Sequence, residues 1–283
     1  MNIDDFWEYS DPAASEARFR DALTAASNDE RLELLTQIAR TYSLRRRFAE
    51  AHAQLDEVEP QLIAAGIRPR LRMLLERGRT FNSAGEREPA QRCFLAAWEE
   101  GCAAGEEGLA VDAAHMMAIT FAGDAQSLAW SQQGLELAQR SNDTQAKSLI
   151  PALLNNAAWD LHDRGEFTEA LAYFRQAQSA WEARERPPQI RIARWSVARC
   201  LRSLARHTEA LDLLRVLEAE QAELGEPDGY VYEEIAENLY AAGQQVAAQP
   251  YFHLAAATLA RDGWLVEQEP ARIERLRRLA ATQ

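Results

Sequence analysis

Between Glu185 and Glu209 the chain carries no carboxylate, although its 283 residues hold 44 acids against 31 lysines and arginines. That stretch holds Arg191, Arg194, Arg199, Arg202 and Arg206, with Trp195 among them. On a helix turning 100° per residue, these six side chains fall within an arc of about 140°. Trp195 lies near the centre, Arg191 and Arg199 sit one turn to either side, and Cys200 points roughly opposite. The chemistry of such a face is recognition. Guanidinium groups grip carboxylates through paired hydrogen bonds, and an indole supplies a large rigid contact surface. An acidic segment or a C-terminal carboxylate of a partner suits it. The competing reading is internal: the arginines pair with Glu233 and Glu237 on the neighbouring helix, and Trp195 packs against Tyr or His side chains between repeats.

Asn155 and Asn156 form a second candidate, since a side-chain amide can bond both the donor and the acceptor of an extended peptide backbone. An ordinary hydrogen bond between helices is the alternative there. Catalysis finds no such support. His52, His115, His162, His207 and His253 fall one per region, and no HExxH, CxxC, GxSxG or Walker motif occurs. His162 and Asp163 are adjacent in sequence, so on a helix they point about 100° apart. Cys93, Cys102 and Cys200 lack the close pairing that zinc or dithiol chemistry needs, and read as reduced core thiols. The expectation is a chain with no catalytic residue, no metal and no cofactor.

The elements that position these residues repeat along the sequence. Leu154 to Ala177 reads LNNAAWDLHDRGEFTEALAYFRQA, with Ala158, Leu161, Gly165, Phe167, Ala170, Phe174 and Ala177 at its key positions. The register returns as Gly78, Phe81, Gly85, Ala90, Phe94 and Ala97, and as Ala236, Leu239, Gly243, Ala248, Phe252 and Ala255. Looser copies are Ala39, Tyr42, Phe48, Ala51, Leu55 and Val58, and Ala198, Leu201, His207, Ala210, Leu214 and Leu217. A degraded copy carries Ser127, Ser131 and Gly134. This pattern resembles the tetratricopeptide repeat, with Leu154 and Ala158 in place of that family's early Trp and Gly. Equivalent positions Ala51, Ala90, Ser127, Ala170, Ala210 and Ala248 lie 39, 37, 43, 40 and 38 residues apart, against the usual 34, so longer helices are expected.

The resemblance implies an all-α superhelix of about six antiparallel helix pairs over residues 28–262. Residues 1–27 are expected to form an N-terminal capping half-repeat through Phe19, Ala22 and Leu23. Residues 263–283 are expected to form a C-terminal capping helix opened by Pro270, its Arg272, Arg275, Arg277 and Arg278 suiting the negative end of the helix dipole. The whole is expected to be one continuous domain. Ser27 to Glu30 fits a capping box, and Pro187-Pro188, Asp228-Gly229 and Gly243 mark helix ends.

In that family the first helix of each pair lines a concave wall. The resemblance therefore places Asn155, Trp159 and His162 on it from repeat four, and Trp195, Arg199 and Arg202 from repeat five. Repeat six adds Tyr230, Glu233, Glu237 and Tyr240. Arg40, Arg79, Asn82 and Asp112 read as a thinner, solvated mixed-charge surface. Members that clamp acidic chaperone tails use basic and amide residues where this chain has Ile192 and Ser196, so that activity is not carried over.

A net charge of −13 repels phosphate backbones and anionic lipid surfaces, which argues against nucleic-acid and membrane partners. Met1 to Ser10 is acidic and aromatic where a signal peptide is basic and then apolar, so a cytoplasmic location is expected. The leading expectation is a scaffold binding protein or peptide, as a monomer or homodimer. Alternatives are a sensor of small molecules or signalling peptides that changes superhelical shape, and a structural subunit dimerising through its caps or Phe6, Trp7 and Tyr9.

Overall fold

A computed structural model describes residues 3–281, apart from the side chain of Asp4. Residues 1–2 and 282–283, the outer ends of the two expected caps, lie outside the described residues. The described residues contain no strand and sixteen α-helices. They form two compact units, Met1–Ala157 and Ala158–Gln283, and the division falls inside one helix.

Unit one holds α1 (Pro12–Ala22), α2 (Asn28–Leu44), α3 (Phe48–Val58), α4 (Ile67–Ser83), α5 (Arg87–Ala104), α6 (Glu107–Thr120), α7 (Ala125–Arg140) and α8 (Thr144–Ser148). It also holds most of α9 (Ile150–Asp163). The capping box at Ser27 and Glu30 opens α2, with the Ser27 amide donating to the Glu30 carboxylate at 3.1 Å. The small residues of the repeat pattern sit where helices cross closely. A Cβ added to Gly78 would lie 2.5 Å from the Phe94 ring, and one added to Gly134 would lie 3.0 Å from the Ala114 methyl. The short α8 accounts for the long 43-residue interval after Ser127. Phe6 packs on the buried Phe19 with ring centroids 5.8 Å apart, and the Trp7 indole donates to Gln37 at 3.2 Å. Two of the three aromatics considered for dimerisation thus pack inside unit one.

Unit two holds the end of α9, then α10 (Phe167–Glu182), α11 (Pro187–Ser203), α12 (His207–Leu224), α13 (Gly229–Ala241), α14 (Gln245–Leu259), α15 (Gly263–Gln268) and α16 (Pro270–Ala281). Its core is built on Ala170, Phe174, Ala210, Leu214, Ala248 and Phe252, all buried. The turn joining α9 to α10 places Gly165 at φ +79°, and the turn joining α11 to α12 places Ala205 at φ +56°. An L residue there is strained by about 1–2 kcal/mol, so packing of the helix pair, more than glycine, holds the looser copy's turn. Residues 263–281 form two helices where one was expected. Pro270 disfavours helical backbone at the residue before it, and Glu269 breaks the run at φ −128°.

The cysteines divide by position. Cys200 is buried and Cys93 half-buried, as core thiols should be, but Cys102 is exposed near the end of α5.

Candidate functional site

Pro187 and Pro188 start α11, where a missing amide hydrogen costs nothing. Ala193, Ser196, Val197, Ala198, Cys200 and Leu201 turn inward and are buried. The Cys200 thiol bonds to the Phe167 carbonyl at 3.3 Å, and burial pushes its pKa up to about 11. It is an unreactive thiol at neutral pH. The opposite side presents Arg191, Ile192, Trp195, Arg199 and Arg202, with Ile192 62% exposed.

Trp195 is half-buried and sits in a row of rings. Its indole donates to the Tyr230 carbonyl at 3.1 Å, tying α11 to the start of α13. Ring centroids lie 6.1 Å from Trp159 and 6.4 Å from Tyr230. Trp159 in turn meets Phe174 at 4.9 Å and His162 at 5.3 Å.

The arginines of α11 and the turn after it do pair internally, with carboxylates other than Glu233 and Glu237. Arg202 grips the carboxylate of Glu234 at 2.5 and 3.2 Å. Arg199 approaches the same carboxylate only to 3.7 Å and donates to the Ser203 hydroxyl at 3.0 Å. Burial, and then the like charge of Arg202, hold Arg199 below the ordinary arginine pKa. Two guanidinium groups therefore share one buried carboxylate, which also accepts from the Asn238 amide at 3.1 Å. Arg194 bonds to Glu220 at 2.7 Å, Arg206 to Glu209 at 2.6 Å, and Arg191 meets the exposed Glu226 at 3.7 Å.

Glu233 and Glu237, the partners that the internal reading offered to α11, pair with α16. Arg272 bonds to Glu233 at 2.6 Å and Arg275 to Glu237. Arg272 also lies 5.1 Å over the Tyr230 ring. Arg272 lies in the first turn of α16 and Arg275 in its middle, so these two serve cross-helix ion pairs and not the negative end of the dipole expected for them; Arg278 is the arginine in the last turn. Tyr240 is 42% exposed, with its ring 6.0 Å from Phe252. Glu234 is the residue sequence reasoning missed. A signal existed: Val231, Ile235 and Leu239 mark the buried stripe of α13, and Glu234 lies beside that stripe rather than opposite it.

His162 is 9% exposed, and its Nε2 lies 2.9 Å from the Ser203 hydroxyl. That hydroxyl accepts from Arg199 at 3.0 Å and also lies 3.5 Å from the Arg199 carbonyl. Asp163 is 3.7 Å from Nδ1, too far for a hydrogen bond. Burial, and then Arg199, lower the His162 pKa, and burial likewise lowers those of His52 and His115. A lowered folded-state pKa means the unfolded chain binds more protons, so this stability is complete above about pH 6.5. It should fall as pH drops from there through the lowered values. Thermal unfolding at pH 7.5 and 5.5 should show the loss, and His162→Gln should reduce it; an unchanged midpoint would contradict it.

Asn155 and Asn156 belong to unit one, both half-buried, and the Asn156 amide nitrogen is buried without a hydrogen-bond partner. The surface expected to be solvated around Arg79 is instead an enclosed network. Arg79 bonds to both oxygens of Asp112 at 2.5 and 2.6 Å and to Glu76 at 2.8 Å. Gln37 donates to Glu76 at 3.2 Å, and Arg40 lies 5.2 Å over the Trp7 ring. Packing by residues 3–9 removes this side of α2 from water.

Among the described residues, no group of three or more His, Cys, Asp or Glu could hold a metal ion. None of their helices is long and apolar enough to cross a membrane. No family model matches the chain. No curated protein matches it. Solved structures do match. A tetratricopeptide repeat protein from Parabacteroides merdae superposes with a TM-score of 0.56 at 16% identity, covering 99% of this chain and 96% of that one. A signal transduction ATPase with numerous domains and a tetratricopeptide repeat sensor, from Pyrococcus horikoshii, gives 0.72 at 12% identity. That match covers 95% of this chain and 42% of the ATPase. NprR in complex with its cognate peptide NprX gives 0.54 at 12% identity, covering 98% and 81%. At such identities the likeness is one of fold.

Proposed function

The chain has the helix-pair fold of tetratricopeptide-repeat proteins, and from that premise we propose that its second unit binds a peptide or protein segment bearing a carboxylate. The surface is the side formed by the end of α9, α11 and α13. The observation that carries this reading is the sharing of Glu234: Arg202 holds it bidentately, while Arg199, at 3.7 Å, keeps a guanidinium face open to a second anion. Trp195 lies one turn away as a rigid contact surface. The role is non-catalytic, and the partner carries acidic side chains or a C-terminal carboxylate.

Rap in complex with competence and sporulation factor and NprR with its cognate peptide share the fold, which supports a peptide as partner. The tetratricopeptide repeat sensor of the Pyrococcus horikoshii ATPase favours a second reading, in which binding is a signal and changes the packing of the repeats.

Arg199→Ala leaves Glu234 paired with Arg202, so folding should change by no more than about 1 kcal/mol. Partner affinity should fall about thirtyfold, or ~2 kcal/mol. The control is Arg215→Ala, at an exposed position of α12. Equal weakening by both substitutions would contradict the site.

A further inference from the structure

Residues 3–9 cross α1 and α2 in unit one as a bound segment would. Only Ile3–Phe6 is helical, as a short 3-10 turn. Phe6 and Trp7 rest on the Phe19 ring, with centroids at 5.8 and 5.0 Å. The Trp7 indole donates to Gln37 Oε1 at 3.2 Å, and its ring stacks on Tyr9 at 4.8 Å. The Arg40 guanidinium lies over both rings, at 5.2 and 5.5 Å. The fit is incomplete at Arg40. The segment gives it two rings and no acceptor: Arg40 makes no hydrogen bond with a described residue, its Nε is buried without a partner, and Glu76 stands 3.6 Å away. A guanidinium covered in this way is costly to leave unmatched. The acids nearest to the two rings in sequence are committed elsewhere. Glu8 accepts from the Ser10 hydroxyl at 2.6 Å, and Asp11 caps α1 through the amides of Ala13 and Ala14.

We infer that residues 3–9 are a displaceable occupant, and that the groove they fill receives in their place a segment of another protein carrying a Trp-Xaa-Tyr pair and a free carboxylate beside it. The incoming indole donates to Gln37 Oε1, the two rings stack under Arg40, and the carboxylate supplies the acceptor that this guanidinium lacks. Once residues 3–9 lift, the whole Arg40 side chain is open to it. Phe19 also belongs to the core cluster of Leu34, Ile38 and Leu55, so α1 and α2 stay packed while the segment is away, which is a local opening and not unfolding. Residues 3–9 thereby act as a competitor built into the chain. A ligand for a site that is open only part of the time binds with its affinity reduced by the open fraction. The groove is built within unit one and does not rest on the reading of Arg199.

The test is calorimetric titration of the full chain with a peptide of its own residues 3–11, Ile-Asp-Asp-Phe-Trp-Glu-Tyr-Ser-Asp, acetylated and amidated at its ends. In this peptide the last Asp has no helix to cap. Trp7→Ala frees the groove, and should bind the peptide at least about tenfold tighter than the wild type does, because the competing segment no longer holds its place. Tyr9→Ala, at a 58% exposed position, should act in the same direction and serves if Trp7→Ala fails to fold. Arg40→Ala added to either variant should reverse the gain, and so should a peptide with Ala in place of its Trp. Replacing the peptide's acids by amides should weaken binding to the variants that keep Arg40 and leave the Arg40→Ala forms unaffected. No binding by a folded Trp7→Ala or Tyr9→Ala chain, equal affinity for these variants and the wild type, or a gain that survives Arg40→Ala overturns the inference.

Discussion

Arg79→Met is expected to destabilise unit one by about 3–5 kcal/mol, the cost of leaving a buried ion pair half broken. Its partners cannot escape to water, since Glu76 is fully buried and Asp112 only 9% exposed. Burial alone would lower the Arg79 pKa, but Asp112 and then Glu76 raise it above the ordinary arginine value. For Asp112, burial acts to raise the pKa and Arg79 overcomes it, leaving a net lowering. That contribution is present above the usual carboxylate value and is lost as pH falls through the lowered one. Urea unfolding followed by hydrogen exchange should place the loss in α4 and α6. Arg79→Met with Asp112→Leu should recover part of it, because removing both charges leaves less unpaired than removing one. Equal stability of the single variant and the wild type would mean that water reaches the network.

Phe174→Ala should cost about 3–5 kcal/mol in unit two. The ring is 1% exposed and supports Trp159 at 4.9 Å, so the substitution leaves a void beneath the aromatic row. Energies in helix-pair repeats are nearly a sum of local and nearest-neighbour contributions. Exchange should therefore accelerate first in α10, α11 and the end of α9. Uniform acceleration through α16 would show that unit two opens as a whole.

The helix pairs were legible because Ala and Gly recur at crossings and Phe or Leu between them, and those residues are the buried ones. The charged networks were harder to see. Reading each helix alone made Arg79 a solvated side chain and left Glu233 and Glu237 either as partners of α11 or as binding residues. Charges that meet across first helices lie 39, 33 and 32 residues apart, for Glu33 and Arg72, Arg79 and Asp112, and Arg202 and Glu234. The last two fall short of the 37–43-residue repeat, so the repeat interval alone does not point to Glu234.

In the proposed site Arg202 takes up Glu234 and Arg199 keeps a guanidinium face for a partner carboxylate. Peptides should be selected from a random displayed library in parallel on the wild-type protein and on folded Arg199→Ala. Asp and Glu should be enriched on the wild type, and that enrichment should be lost on the variant. The same acidic sequences recovered equally from both proteins would contradict the site.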